Sequence, residues 1–190
     1  APSQPVFTLV KGKEKRTRAG YLRWGLVPSW SKDLSIGNKM INARSETIHE
    51  KRSFRPLWKK RHCAIIASSF YEWKKEEDGK QPYVIKYKND EPLIFAGLWE
   101  RAFIDNKQIV TCTMLTTKAN TFMSKIHHRM PVILPKQMLD YWLQPELLTE
   151  EIIKEIFEPL SSDILEMYKV SKLVNSPKNE TIECIQPLPR

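Results

Sequence analysis

Phe70-Tyr71-Glu72-Trp73-Lys74-Lys75-Glu76-Glu77-Asp78-Gly79-Lys80-Gln81-Pro82-Tyr83-Val84-Ile85-Lys86-Tyr87 is the stretch that decides the fold. Phe70 to Lys75 and Tyr83 to Tyr87 are rich in aromatic and β-branched residues. The polar run Glu76 to Lys80 between them, with Gly79, predicts a tight turn, so the whole reads as a β-hairpin. The same signals recur outward from it. Cys63 to Ala67 reads as a strand, and Leu93 to Trp99 pairs with Gln108 to Leu115 across Asp105-Asn106. Val6 to Val10 and Tyr21 to Leu26 are strands around a basic turn from Lys11 to Arg18, with loops from Val27 to Lys39 and around Met40 to Thr47. Ser53 to Arg61, Lys118 to Ser124, Lys136 to Leu143 and Thr149 to Phe157 are expected to be helical, and Tyr168 to Val170 returns to a sheet. Strands outnumber helices and are joined mostly by hairpins. The expected class is α+β, with a curved, mostly antiparallel sheet or barrel flanked by short helices.

Length and composition fit one domain over residues 1–190, with 41% hydrophobic, 10% aromatic and 28% charged residues. Cys63, Cys112 and Cys184 are too few and too far apart for a disulfide scaffold, and no C-x-x-C pair suggests a structural zinc. No apolar run reaches 18 residues, which excludes a transmembrane helix, and no leader is expected. A reducing cytoplasm or nucleus is the natural setting. The net charge of +9 is unevenly spread: 26 basic and 13 acidic residues up to Leu143, then 5 basic and 9 acidic residues. A basic body suits a polyanion, nucleic acid ahead of membrane, although a solvated basic surface is the plain alternative.

Three clusters could carry chemistry. In Met40-Ile41-Asn42-Ala43-Arg44-Ser45-Glu46-Thr47, Asn42 can donate and accept while Arg44 offers a fork for phosphate. A helix entrance capped by Asn42 or Ser45 is the commoner use of such residues. In Ser69-Phe70-Tyr71-Glu72-Trp73, a glutamate among aromatics would have its charged form disfavoured by burial, which suits a general acid or base. The bland alternative is an edge-strand glutamate paired with Lys or Arg. In Ile126-His127-His128-Arg129-Met130-Pro131, adjacent histidines cannot form an i, i+4 metal pair; one could sit at a site rim, or both could be surface residues at a helix end. Basic residues also neighbour Trp24, Trp30, Trp58 and Trp73, an arrangement used for stacking on single strands, yet at least three of the six tryptophans are expected in the core. Cys63 and Cys112, in apolar strands, read as inert thiols.

Together these segments resemble the SRAP family (SOS response-associated peptidase domain), whose members form covalent crosslinks with abasic sites in single-stranded DNA. The resemblance rests on Ala1-Pro2-Ser3-Gln4, Leu22-Arg23-Trp24-Gly25-Leu26, Ile41 to Thr47, Ser69 to Trp73, Thr116-Thr117, Ile126 to Ile133 and Val174-Asn175-Ser176-Pro177-Lys178-Asn179. It covers nearly the whole chain, and the order of the motifs makes it specific.

The resemblance implies a mechanism and a site. In the family, a cysteine directly after the initiator Met supplies an α-amine for a Schiff base with the opened sugar and a thiol that closes a thiazolidine. None of Cys63, Cys112 or Cys184 matches that position, so the chain is expected to lack its N-terminal segment. By match, Asn42 would hold and polarise the nucleophile and sugar. Glu72 would move protons, also in removing the initiator Met, and His127 would hydrogen-bond the opened sugar. Arg44, Arg52 and Arg129 would contact phosphates, Trp73 would line the site or stack, and Thr116 would bond the DNA backbone. The implied partners are single-stranded DNA with abasic sites and replication-fork proteins, with no membrane, no cofactor and no metal. A monomer is expected, nucleoid-associated in a bacterium or nuclear in a eukaryote. Two other readings stay open here: a thiol peptidase acting in trans, and a non-covalent module for single-stranded or modified-base DNA.

Overall fold

Period-two patterning and tight turns make most of this chain sheet. The computed structural model describes residues 1–12 and 14–189. In chain order the strands are β1 (Pro5–Lys11), β2 (Thr17–Trp24), β3 (Asn42–Arg44), β4 (His62–Ala67), β5 (Phe70–Glu76), β6 (Gly79–Tyr87), β7 (Leu93–Ile104), β8 (Lys107–Lys118), β9 (Arg129–Pro131) and β10 (Leu165–Lys169). The α-helices are α1 (Leu139–Trp142) and α2 (Glu150–Phe157), supplemented by single 3-10 turns. Two compact units share the chain: Ala1–Ile66 with Ile94–Thr117 and Pro131–Leu160, and Ala67–Leu93 with Lys118–Met130 and Ser161–Arg190.

The first unit is a closed mixed barrel. β1 pairs antiparallel with β2 and β4, β4 neighbours β7, and β7 pairs antiparallel with β8. A short parallel pairing of β2 with β8, Arg23 opposite Thr111 and Trp24 opposite Cys112, closes the ring. The β7–β8 turn is Asp105-Asn106, both at positive φ (48° and 61°), the conformation that two-residue hairpins require and that Asp and Asn tolerate. The interior is filled by Leu26, Ala43, Leu98, Leu115, Leu134 and Ile156 around Trp142, which is fully buried. Trp142 satisfies its indole by donating Nε1–H to the Cys63 carbonyl at 2.8 Å. α2 lays Ile152, Ile156 and Phe157 on this core; Thr149 caps its start by accepting from Ile152 N, which contributes about 1 kcal/mol.

Beyond β2 the chain doubles back through a close backbone approach. Gly25, at φ 120°, and Gly37 are so near that a Cβ on either would meet the other's carbonyl oxygen below 3 Å. Leu26 N bonds Met40 O at 3.0 Å, the Trp24 indole bonds Ile41 O at 2.8 Å, and Met114 N bonds Ile41 O at 3.0 Å. These bonds deliver β3 to β8, parallel, with Asn42 opposite Met114 and Arg44 opposite Thr116.

The second unit is a three-stranded antiparallel sheet in the order β10-β6-β5. The expected hairpin is there, with Phe70 opposite Ile85 and Glu76 opposite Gly79. Gly79 takes the positive φ, 110°, that ends its turn. Gln81 ties the sheet to the segment after β10 through its amide, which donates to Val170 O at 2.9 Å.

Several local expectations are corrected. Ser53 to Arg61 forms successive turns rather than a helix: Trp58 N reaches Phe54 O, but Pro56 has no N–H and Lys59 sits at φ 67°. Lys118 to Ser124 is not helical, because β8 runs to Lys118 and only Met123–Lys125 makes a 3-10 turn, whose Met123 N donates to Asn120 Oδ1 at 2.8 Å. Met40 to Thr47 is neither loop nor capped helix; it is β3 followed by a three-residue 3-10 turn without a side-chain cap. Of the tryptophans only Trp142 is fully buried; Trp30 is exposed and the others are half-buried.

Candidate functional site

In the second unit, Glu72 lies mid-strand on β5, at one edge of its sheet. One carboxylate oxygen accepts from Trp73 N at 3.0 Å, and the other lies 3.8 Å from His127 Nδ1. The bland reading of this residue is therefore half right. It is an edge-strand glutamate, but its partner is an imidazole rather than Lys or Arg. His127 reaches it from the loop after β8, which is closed by Ala119 N donating to His128 O at 3.1 Å.

The same imidazole nitrogen also sits 3.1 Å from both the N and the O of Arg129. Deprotonated, Nδ1 accepts from Arg129 N. Protonated, it faces the Arg129 carbonyl and the Glu72 carboxylate. The ring thus has a hydrogen-bond partner in place in either state. Beside it, Trp73 is fixed by its indole N–H, which donates to Asn175 Oδ1 at 2.8 Å. Asn175 is a site-side residue that no single local motif identified; only its place in the Val174 to Asn179 segment pointed to it.

In the first unit, Asn42 and Arg44 share the outer face of β3 with their side chains exposed, while Ala43 between them is buried in the core. That alternation fixes their direction: the inward alanine forces both polar neighbours outward. Thr116, opposite Arg44, is almost fully buried. Arg52 stands apart from this ladder. Its guanidinium lies 5.0 Å from the ring centroid of Trp30, which is exposed, so cation and indole form one surface platform.

The thiols stay out of both groups. Cys63 and Cys112 are fully buried in the barrel, and burial pushes both thiols up, Cys112 to about 12, so neither supplies a thiolate. Cys184 is buried as well. Among the described residues no cluster of three or more His, Cys, Asp or Glu could hold a metal ion, and no helix is long and apolar enough to cross a membrane.

Comparison with known proteins gives these positions a context. A family model described as SOS response associated peptidase (SRAP) matches residues 1–177. The chain is 47% identical over 189 residues to the abasic site processing protein YoqW of Bacillus subtilis, covering 98% of this chain and 84% of that protein. It is 34% identical to the abasic site processing protein HMCES of Gallus gallus, covering 88% of this chain and 56% of that one. A crystal structure of a protein from Bacteroides thetaiotaomicron superposes with a TM-score of 0.84 at 26% identity, over 97% of this chain and 82% of that one.

Proposed function

The chain belongs to the SRAP family, and from that premise we propose that it recognises abasic sites in single-stranded DNA and takes part in their covalent capture. The observation that carries this reading is the Glu72–His127 pair, a carboxylate 3.8 Å from an imidazole held in either protonation state by Arg129. Abasic-sugar chemistry needs such a pair. Ring opening to the aldehyde moves one proton, Schiff-base formation expels water and moves another, and thiol addition across the C=N bond moves a third. No oxidant enters, since each step exchanges only water and protons.

In this reading Glu72 takes and returns the protons at the amine, and at the initiator Met in self-processing. His127 donates to the sugar oxygen as it leaves the ring, and Asn42 supplies neutral hydrogen bonds to the nucleophile and sugar. Arg44, Arg52 and Arg129 neutralise phosphates, Trp73 offers a face for a base, and Thr116 bonds the DNA backbone. In this reading the α-amine and thiol are those of the cysteine that follows the initiator Met in the family, and Cys63 and Cys112, buried with their thiols pushed up, take no part.

The experiment compares the 190-residue chain with one carrying the family's Met-Cys segment upstream, each incubated with a single-stranded oligonucleotide bearing one abasic site. Denaturing electrophoresis should show a stable adduct only for the longer chain, lost on changing that Cys to Ala. An adduct from residues 1–190 mapped to Cys63, Cys112 or Cys184 would overturn the reading. Cleavage of a peptide in trans without adduct would assign a peptidase instead, and binding indifferent to Glu72→Gln and His127→Gln with no adduct would leave a non-covalent module.

A further inference from the structure

In the second unit, Glu72 stands between two aromatic side chains, Tyr71 and Trp73, whose polar ends are both held from the C-terminal part of that unit. Trp73 is paired with Pro82 across the hairpin, and Pro82 turns its carbonyl the other way, accepting from Val170 N at 3.1 Å. Because β5 is an edge strand, the Trp73 N–H faces the open edge of the sheet, where the Glu72 carboxylate takes it. The backbone at Trp73 is therefore committed to Glu72, and the placement of its ring is left to the side chain.

Two contacts bear on that placement. Trp73 and Tyr71 share one face of β5, with ring centroids 6.2 Å apart and planes tilted by 47°. The indole N–H donates to Asn175 Oδ1 at 2.8 Å. An indole nitrogen only donates, so the atom of Asn175 that faces it is the carbonyl oxygen. Trp73 is only half-buried, so packing does less to choose its rotamer than it does for the fully buried Trp142. The bond at its polar corner selects one orientation of the ring.

Asn175 is itself braced. It ends a 3-10 turn, Lys172–Asn175, whose start is capped by Ser171 Oγ accepting from Leu173 N at 3.2 Å. Ser176 N donates back to Leu173 O at 3.2 Å, and the Asn179 side chain donates to the same carbonyl at 2.7 Å. The chain then returns to the aromatic pair, where the Cys184 carbonyl accepts from the Tyr71 hydroxyl at 3.2 Å. A local network of this kind fixes the backbone under one exposed amide, which gives the Trp73 indole a stationary acceptor.

We propose that Asn175 is a positioning residue, holding the Trp73 indole so that its exposed surface meets a base of the single strand beside the abasic sugar. The proposal rests on the reading of Glu72 and Trp73 given above. Asn175 acts through Trp73 and not on the reacting atoms. Its loss therefore changes how well the strand is held, and leaves unchanged how fast a bound strand reacts.

The test uses Asn175→Leu, which keeps the shape and removes the acceptor, and Asn175→Asp, which keeps both. In proton–nitrogen correlation spectra of the 190-residue chain, the Trp73 indole signal is identified by its absence from Trp73→Phe. It should move upfield in Asn175→Leu and keep its hydrogen-bonded position in Asn175→Asp. Affinity for a fluorescent single-stranded oligonucleotide with one abasic site should fall about fivefold in Asn175→Leu, the size of one hydrogen bond. The same change made in Trp73→Phe should cause no further loss. In the Met-Cys chain, the rate of adduct formation at saturating oligonucleotide should be unchanged. Asn175 is exposed, so its variants should keep the wild-type melting temperature. Undiminished affinity in Asn175→Leu, an equal loss in the Trp73→Phe background, an indole signal unmoved by Leu or moved equally by Asp, or a slower saturated rate overturns the proposal. Absence of any adduct from the Met-Cys chain ends the abasic-site reading, while the indole signal and the affinity ratio still decide the role of Asn175.

Discussion

His62 and His127 are the same side chain in opposite surroundings. His62 is sandwiched in the barrel, tied through Nδ1 to a carbonyl, and burial holds it neutral with its pKa near 3. His127 stands on a loop of the second unit, half-exposed, with a carboxylate and both polar groups of the Arg129 backbone around one nitrogen. The first environment penalises the charged form by burial, and the one carbonyl it offers does not offset that penalty. The second offers acceptors to a proton when it arrives and a donor when it leaves. The difference teaches that backbone neighbours and a carboxylate can hold an imidazole in place in either protonation state, while burial against a carbonyl fixes one neutral tautomer.

The largest expected effect tests the barrel side. Trp142→Ala removes the ring that fills the core and stacks on His62, and should cost about 3–5 kcal/mol of stability in chemical denaturation. If it slowed adduct formation in the Met-Cys chain without loss of stability, the barrel histidine would not be the inert member of the comparison. Next comes Glu72→Gln in that same chain, which keeps shape and removes the proton acceptor. Adduct formation should fall about 100-fold or more while affinity for single-stranded DNA changes little; equal loss in both would make Glu72 a binding residue.

The third effect is on pH. Because the folded pKa of His62 is depressed, the unfolded chain takes up a proton that the native barrel refuses between about pH 6.5 and about pH 3. Stability therefore falls as pH drops through that window, by up to about 1.4 kcal/mol per unit from this group, and is unaffected by it above pH 7. The urea midpoint of wild type should fall relative to that of His62→Phe on acidification from pH 7 to pH 4.5; parallel curves would mean that the native barrel takes up the proton as readily as the unfolded chain. The smallest effect belongs to Arg44. Arg44→Ala should weaken single-strand binding for all sequences and lower the salt slope by about one unit or less, and an altered sequence preference at an unchanged slope would remove its phosphate role.

What the chain made legible was local. Alternation plus Gly79 gave the β5–β6 hairpin, Asp105-Asn106 gave the β7–β8 turn, and the apolar spacing of Ile152, Ile156 and Phe157 gave α2. Those signals work because a turn or one helical face is decided within a few residues. The proposed site residues were singled out mainly as motifs in order. Locally, Asn42 and Ser45 looked like caps, because Asn and Ser serve both uses and the sequence does not say what lies beside them.

Tertiary structure decided the rest. β3 is a strand because β8 offers it partners some seventy residues away, and those partners prevail over its cap-like sequence. Which glutamate meets which imidazole, which tryptophan is buried and which face of His62 is left bare are likewise set by chain segments remote in sequence. Turns and amphipathic periods are short-range energies written in neighbouring residues, so the sequence by itself determined them. Hydrogen-bond partners, burial and cavities are properties of packing, which exist only once the barrel and the sheet have closed.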